Sequence, residues 1–365
     1  MTYKPLASVL IPVYNRERYI EETIRSAAGQ TYSPLEIIIM DNCSTDNTWK
    51  IVERLASKDR RIKCFRNTEN IGPVRNWIAA AGHATGEYCK ILWSDDLMSP
   101  GFVALAVDAF QRHDDLAFVY SSVEFINENS TIISKPFYQL ENTGLHATER
   151  FVRQSLVDDR HFPLSPGCAL FRTADIRKNI LPDFPNRHKF DLANIAIGND
   201  LLLYLLSTLD RSNFYLLPGV HNYFRIHSGS ISLTEGGGRL YAFYKLAKCF
   251  FAANYVRHRR DRLISDMNAQ IWYFLKKHKI TPAGFASISD FYPPGYKAET
   301  KVSAASIVSM VFRELVNKLR TPANPAKAQL PESQSCNRES GAVHRSSHTG
   351  HNDDDCHDNI PDETK

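Results

Sequence analysis

The sequence predicts an α/β fold: a mostly parallel central sheet with helices on both faces. Three observations predict it. The runs "SVLIPVY", "LEIIIMD", "IKCFRN" and "YCKILWS" are short and rich in β-branched residues, as strands are. Segments of helical spacing lie between them, and regular alternation of strand and helix implies a parallel sheet covered on both faces. Finally, the 365 residues exceed the roughly 250 to 300 at which a single core stops growing, so one main domain with an appendage is expected.

Each element follows from local pattern. After the first strand, Ile20, Ile24 and Ala28 share one helical stripe. The second helix is opened by Ser44 or Asp46 as N-cap and places Trp49, Val52 and Ala56 on one stripe. The third helix spans roughly 74–81, and another runs from about 101 to 113. The order then changes: "LAFVYSSVEFI" and "TIISKPF" read as antiparallel strands, followed by "CALFRT", a helix around Asp200, and "NFYLLPGVHNYFRIH". "TEGGGR", residues 234–239, reads as a flexible joint into a helical segment ending near His278. These signals divide the chain into a main domain over 1–235, a helical C-terminal extension over 236–320 and a tail over 321–365. The tail is rich in Pro, Ser, Asn, His and Asp and is expected to be disordered.

Composition excludes several classes. Lys plus Arg number 44 against 40 Asp plus Glu, a net charge of only +4, and the basic residues are scattered, which argues against nucleic acid as the partner. The seven cysteines are odd in number and form no CxxC pair, so neither a disulfide framework nor a zinc site is suggested, and a reducing cytoplasm fits. The longest apolar run, "LLLYLL", is far short of the ~20 residues of a membrane span. The segment 304–320 places Ile307, Val308, Val311, Leu315 and Leu319 on one side with Arg313, Lys318 and Arg320 elsewhere. Packing on the protein is the commoner fate of such a helix; peripheral adhesion to the inner face of a membrane is the alternative.

Four predicted strands end in polar residues their cores do not need. Tyr14 and Asn15 follow the first, Asp41 and Asn42 the second, Asn67 the third, and Asp95 and Asp96 the fourth. In a parallel sheet all four ends lie on one edge, where open α/β sheets bind ligands. Strand termination and helix capping are the plain alternative for any one of them. No GxGxxG or GxxxxGK[ST] follows the first strand, so glycine amides do not cradle phosphates here. Two adjacent carboxylates would repel phosphate unless a divalent cation lay between, and Mg²⁺ or Mn²⁺ suits that role.

These residues resemble family 2 glycosyltransferases, inverting enzymes with the Rossmann-like GT-A fold. "SVLIPVYNRERYIEETIRSAAGQTYSPLEIIIMDNCSTDNT" is similar to that family's first nucleotide-binding block, "NIGPVRNW" to its NxGxxxN element, and "TGEYCKILWSDDLMSPG" to its DXD block. "SPGCALFR" resembles the acceptor-side strand, "GNDLLLYLL" the segment of the catalytic base, and "YFRIHSGSIS" the closing Arg and His element. The resemblance covers roughly residues 6 to 233. Two departures stand out: Trp93 occupies the place of the DXD block's first Asp, and Asn199 precedes Asp200 where Glu is usual.

The resemblance implies a nucleoside diphosphate sugar donor, with UDP favoured, and a glycan or glycolipid acceptor. It implies that Asp41 accepts the ring N–H of a uracil-type base, with Pro12 and Tyr14 closing around that base and Asn15 and Asn70 in the same nucleotide-binding blocks. Capping of the helix after "STDNT" is the alternative for Asp41. Asp95 is expected at ribose or donor sugar and Asp96 on the cation. Arg75 is a candidate for the diphosphate, with a helix-surface arginine as alternative, and His227 for the diphosphate or the metal, with a structural histidine as alternative. Asp200 is the expected general base, and start of a helix is its alternative. Two other functions stay open: a sugar nucleotidyltransferase, and a catalytically silent nucleotide-sugar binding module, the latter motivated by Trp93.

Overall fold

The structure is a computed structural model describing residues 3–157, 162–230, 236–257, 260–277, 284–297 and 302–320. The tail expected to be disordered lies outside the described residues, as does the start of the "TEGGGR" joint.

Strands β1 (Ala7–Val13), β2 (Leu35–Asp41), β3 (Ile62–Arg66) and β4 (Tyr88–Ile91) pair in the order β3-β2-β1-β4, all parallel. Every residue of β1, β2 and β4 is buried, as strands covered on both faces must be. Helices α1 (Ile20–Ala28), α2 (Thr48–Ala56), α3 (Pro73–His83) and α4 (Phe102–Arg112) occupy the intervals. Alternate strand residues feed two cores: Val9, Ile11, Ile37 and Ile39 meet α1, α2 and α4 on one face, and Leu10, Ile38 and Met40 meet α3 on the other.

The sheet continues through β5 (Leu97–Met98), β6 (Leu116–Ile126), β7 (Gly144–Ala147), β8 (Ala169–Arg172) and β9 (Asn213–Arg225). Its order is β3-β2-β1-β4-β8-β6-β9-β5, with β7 also on β9. β8 runs antiparallel to both β4 and β6, and β6 runs parallel to β9. Six strands, β1 to β4 with β6 and β9, therefore point the same way, and the predicted mostly parallel α/β architecture is what the chain adopts. One consequence was not visible in the sequence: the end of β9, with Arg225 and His227, reaches the same edge as the end of β4.

Three local expectations are corrected. "TIISKPF" is not a continuous strand; its ladder pairing with β6 is limited to two isolated antiparallel bridges, Val123 with Phe137 and Ile126 with Ile132. Pro136, beside the first of these, has no N–H to extend a ladder. Second, α2 has Asn47 at its N-cap, while Asp46 accepts the Thr48 N–H at 2.9 Å and Ser44 turns back to Asp41. Third, the glycines of the expected joint open a helix, and the segment to His278 is two helices. With α5 (Thr148–Val157), α6 (Thr173–Asn179), α7 (Leu192–Ile195) and α8 (Asn199–Ser207) already in place, these are α9 (Gly236–Tyr255) and α10 (Arg260–Lys277). Phe243, Leu246 and Ala247 of α9 join Leu201, Leu202 and Leu205 of α8 in one core, so the extension is packed into the sheet domain.

Helix α11 (Ala304–Arg320) buries Ser306 and Met310 and leaves Val308, Val311 and Phe312 exposed. Of the stripe expected to pack, Val308 and Val311 are exposed and Ile307 is half-buried, while the side chains of Leu315 and Leu319 lie outside those described. No helix among the described residues is long and apolar enough to cross a membrane. Cys43, Cys64, Cys89, Cys168 and Cys249 are free thiols.

The sheet edge opposite the polar strand ends is fastened by Glu36. Its buried carboxylate accepts from Ser8 Oγ at 2.6 Å, Thr85 N at 2.6 Å and Lys63 Nζ at 2.7 Å. Burial pushes its pKa up, but Lys63 and the hydroxyl and amide donors outweigh burial and hold it at about 2, below the ordinary 4.5. A carboxyl held below its unfolded value contributes stability that is present above about 4.5 and is lost as pH falls towards 2. Glu36→Gln should therefore melt below wild type at neutral pH and lose less melting temperature over that acid window. Parallel pH profiles for the two proteins would contradict this.

Candidate active site

The Asp pair lies in the turn between β4 and β5, beside the end of β9. Asp96 is buried, and its Oδ1 accepts the backbone N–H of Arg225 at 2.8 Å. Asp95 Oδ2 accepts from His227 Nε2 at 2.9 Å and from Arg16 Nε at 3.2 Å. The Arg225 side chain is itself wholly buried and donates to the Asp95 carbonyl at 2.8 Å, to Asn127 O at 3.0 Å, to Ser130 Oγ at 2.9 Å and to Glu22 Oε2 at 2.8 Å. One guanidinium thus ties the turn to α1 and to the end of β6.

The two carboxylates have opposite electrostatics. Burial raises the pKa of Asp95, but the His227 hydrogen bond and the Arg16 charge more than offset it and hold Asp95 below the usual carboxylate range. For Asp96, burial and then the Asp95 charge push the pKa well up. Asp95 Oδ1 and Asp96 Oδ2 accept no hydrogen bond from the described residues. A buried pair whose second member resists ionisation, with two oxygens unused, suits a hard divalent cation. Among the described residues no three His, Cys, Asp or Glu converge as a closed metal cage. Two carboxylates are the usual protein share when substrate phosphates complete the shell. His227 has both ring nitrogens engaged, since Nδ1 accepts the Gly229 N–H at 3.2 Å while Nε2 meets Asp95. In this arrangement it orients Asp95 and presents no free nitrogen to a metal.

Asp41 closes the second strand, fully buried. It accepts from Ser44 N at 3.0 Å and from Ser44 Oγ, and it forms an ion pair with Arg66, whose Nε lies 3.1 Å away. Asn15 takes a left-handed φ of 49° and accepts the Thr45 N–H at 2.8 Å, lashing the loop after β1 to the loop after β2. Pro12 is buried within β1, and Tyr14 is exposed beside it. Asn70 Oδ1 accepts from Asn42 Nδ2 at 2.8 Å and Gly72 N at 3.0 Å, which shapes the turn into α3. Arg75 lies on the exposed side of α3, with its guanidinium 3.5 Å from Asp191.

Trp93 has a structural role that the sequence did not reveal. Its Nε1 donates to Ser165 Oγ at 2.7 Å, its ring lies 4.8 Å from that of Trp77, and a Cβ on Gly167 would fall 2.8 Å from Nε1. Only glycine fits at 167, so the turn from Ser165 to Gly167 rests directly on the tryptophan two positions before the Asp pair. Lys90, buried in β4, donates to the Gly167 carbonyl. Burial lowers its pKa to about 8.

Asp200 stands in the first turn of α8. Its Oδ1 accepts the N–H groups of Gly198 at 2.9 Å and Leu201 at 2.8 Å, and its Oδ2 accepts the Tyr244 hydroxyl at 2.7 Å. Burial raises its pKa to about 6, against the opposing pull of those donors. Tyr244 and Arg16 carry no motif that singles them out, and Arg225 was visible only as a member of "YFRIH".

Known proteins agree with this architecture. Residues 8–179 match the family model of Glycosyl transferase family 2. An uncharacterized glycosyltransferase of Haemophilus influenzae is 35% identical over 124 residues, 34% of this chain, and the chain spans only 38% of that relative's length. The GalNAc(5)-diNAcBac-PP-undecaprenol beta-1,3-glucosyltransferase of Campylobacter jejuni is 25% identical over 323 residues, covering 87% of this chain and 91% of its own length. The crystal structure of S. aureus TarS 1-349 in complex with UDP-GlcNAc shares the fold with a TM-score of 0.56 at 20% identity, over 74% of this chain and 73% of that one. The part of the chain that carries the Asp pair at the edge of this sheet, residues 8–179, thus matches glycosyl transferase family 2.

Proposed function

We propose that the protein is an inverting glycosyltransferase that moves a sugar from a nucleoside diphosphate sugar, UDP favoured, to the hydroxyl of a glycan or glycolipid acceptor in surface polysaccharide or glycolipid assembly. The observation that supports this reading is that the ends of β2 and β4 bring Asp41 and the Asp95–Asp96 pair to the same edge of the sheet, and the resemblance of its segment assigns Asp200 to the acceptor side. The TarS structure holds UDP-GlcNAc and the Campylobacter relative is named for an undecaprenol-linked acceptor, which supports both ends of the assignment.

In this reading Asp41 accepts the N–H of the base, and the Asn15 and Asn70 turns shape the nucleotide pocket. Asp96 and Asp95 hold Mg²⁺ or Mn²⁺, with His227 and Arg16 keeping Asp95 ionised and oriented. The cation, when bound, would act as a Lewis acid towards the departing diphosphate. Asp200 takes the proton of the acceptor hydroxyl through Oδ2 as that oxygen bonds to the anomeric carbon and the bond to the phosphate oxygen breaks on the opposite face. One displacement inverts configuration. A pKa near 6 leaves Asp200 ionised at neutral pH yet a stronger base than an exposed carboxylate. The site faces the cytoplasm in this reading, and the exposed Val308, Val311 and Phe312 of α11 provide peripheral contact with the inner membrane face.

Two measurements test the reading. A donor screen should release nucleoside diphosphate; pyrophosphate as product would instead identify a nucleotidyltransferase, and binding without turnover a silent module. Asp200→Asn should lower kcat for transfer roughly 100-fold or more with donor Kd nearly unchanged. Wild-type kcat should rise as pH passes about 6, where Asp200 loses its proton, and then level. Near-wild-type kcat in Asp200→Asn would remove Asp200 from the mechanism, because Asn caps a helix about as well as Asp.

A further inference from the structure

Taking Asp200 as the base, as the function proposed above does, we propose that Tyr244 on α9 is a positioning residue for it, so that the C-terminal extension completes the active site. The geometry divides the Asp200 carboxylate into two halves with different tasks. Oδ1 is committed to the N–H groups of Gly198 and Leu201, at 2.9 and 2.8 Å, and anchors the group to the start of α8. Oδ2 is the oxygen left to receive a proton, and the donor facing it is the Tyr244 hydroxyl at 2.7 Å. A carboxylate oxygen has two lone pairs. Tyr244 fills one and fixes the direction of the other, which is where the acceptor hydroxyl must approach.

The packing around this bond is close. Gly198 has φ +96°, and a Cβ there would fall 2.9 Å from Ala247 Cβ and 3.0 Å from Phe243 O. The residues of α9 on either side of Tyr244 therefore press on the loop that carries the base, and glycine at 198 permits it. The titratable groups facing this carboxylate are Tyr244 from α9 and Tyr138 from the segment before β7; burial raises both phenols, so each keeps its proton. During transfer the proton passes from acceptor hydroxyl to Asp200 Oδ2, and Tyr244 neither gains nor loses one. Its hydrogen bond stabilises the ionised carboxylate and draws the Asp200 pKa down against burial.

The test compares the full chain as wild type, Tyr244→Phe and Tyr241→Phe. Tyr241 lies on the same helix, with its hydroxyl 3.4 Å from the Gln270 carbonyl. Carboxyl ¹³C NMR, with the Asp200 signal assigned by its loss in Asp200→Asn, should give a midpoint near 6 in wild type and in Tyr241→Phe, and a higher midpoint in Tyr244→Phe. Release of UDP from UDP-N-acetylglucosamine should show kcat roughly 10-fold lower in Tyr244→Phe with donor KM unchanged, and neither constant altered in Tyr241→Phe. In unsubstituted protein labelled with 3-fluorotyrosine, one ¹⁹F resonance should titrate with the Asp200 midpoint. An unshifted midpoint in Tyr244→Phe, or no fluorotyrosine signal following Asp200, would overturn the proposal and leave Tyr244 a packing residue. Wild-type protein that releases no UDP from this probe would count against the assigned donor, while the NMR comparison would still decide the role of Tyr244.

Discussion

Two adjacent carboxylates, Asp95 and Asp96, are held out of water at the end of β4, and much of the molecule is arranged around their repulsion. Taking even one charge into a protein interior is costly unless it is paired and hydrogen-bonded. Here the pairing comes from far away in sequence. Arg16 arrives from the loop after β1, and Arg225 and His227 arrive from the end of β9. Asp95 is thereby kept ionised, while burial and then the Asp95 charge make Asp96 resist ionisation by more than Arg225 and Lys90 offset. The imbalance is what makes the pair a receptor for a cation and not a closed salt-bridge cluster.

The sheet order serves this arrangement. Because β9 runs parallel to β6 and pairs antiparallel with the short β5, its last residues pass directly beside the turn that carries the Asp pair. Arg225 then joins the turn to α1 and to the 127–130 loop through four hydrogen bonds that a lysine's single ammonium could not reproduce together. On the other side Trp93 supports the turn at Ser165 to Gly167. Donor and acceptor halves of the proposed site therefore share one structural support, the four residues from Trp93 to Asp96. The tryptophan found where the related motif has an aspartate is explained as a strut and need not signal loss of activity.

What was legible in the sequence is what short-range pattern controls. β1, β2 and β4 are buried on both faces, so they read as largely apolar runs, and the polar ends of β1 to β4 mark the ligand edge without any knowledge of the rest of the chain. The limits are just as physical. "TIISKPF" has strand composition, yet its placement depends on which edge of β6 is left open and on a proline that blocks the ladder there. On α11 helical periodicity gives a stripe but not the surface that covers it, and Val308 and Val311 of that stripe are exposed. Arg16 and Tyr244 are single residues whose roles arise from contacts across 79 and 44 positions of sequence, and no local spacing encodes such contacts. Several residues read as ligand-facing, Asn15 and Asn70 among them, make the turns of the nucleotide edge through hydrogen bonds within the chain.

In the proposed function a divalent cation arriving with a diphosphate relieves the repulsion of the Asp pair. Thermal denaturation of wild type and Asp96→Asn, with UDP alone, Mn²⁺ alone and both, tests it most directly, because a ligand of the native state raises the melting temperature. Asn at 96 keeps an oxygen for the Arg225 N–H but removes the second negative charge. The account predicts that wild type is stabilised strongly only by UDP and Mn²⁺ together, and that Asp96→Asn melts no lower than wild type without ligand yet gains nothing from Mn²⁺. Equal stabilisation of wild type by UDP in excess chelator, or a full Mn²⁺ response in Asp96→Asn, would contradict it.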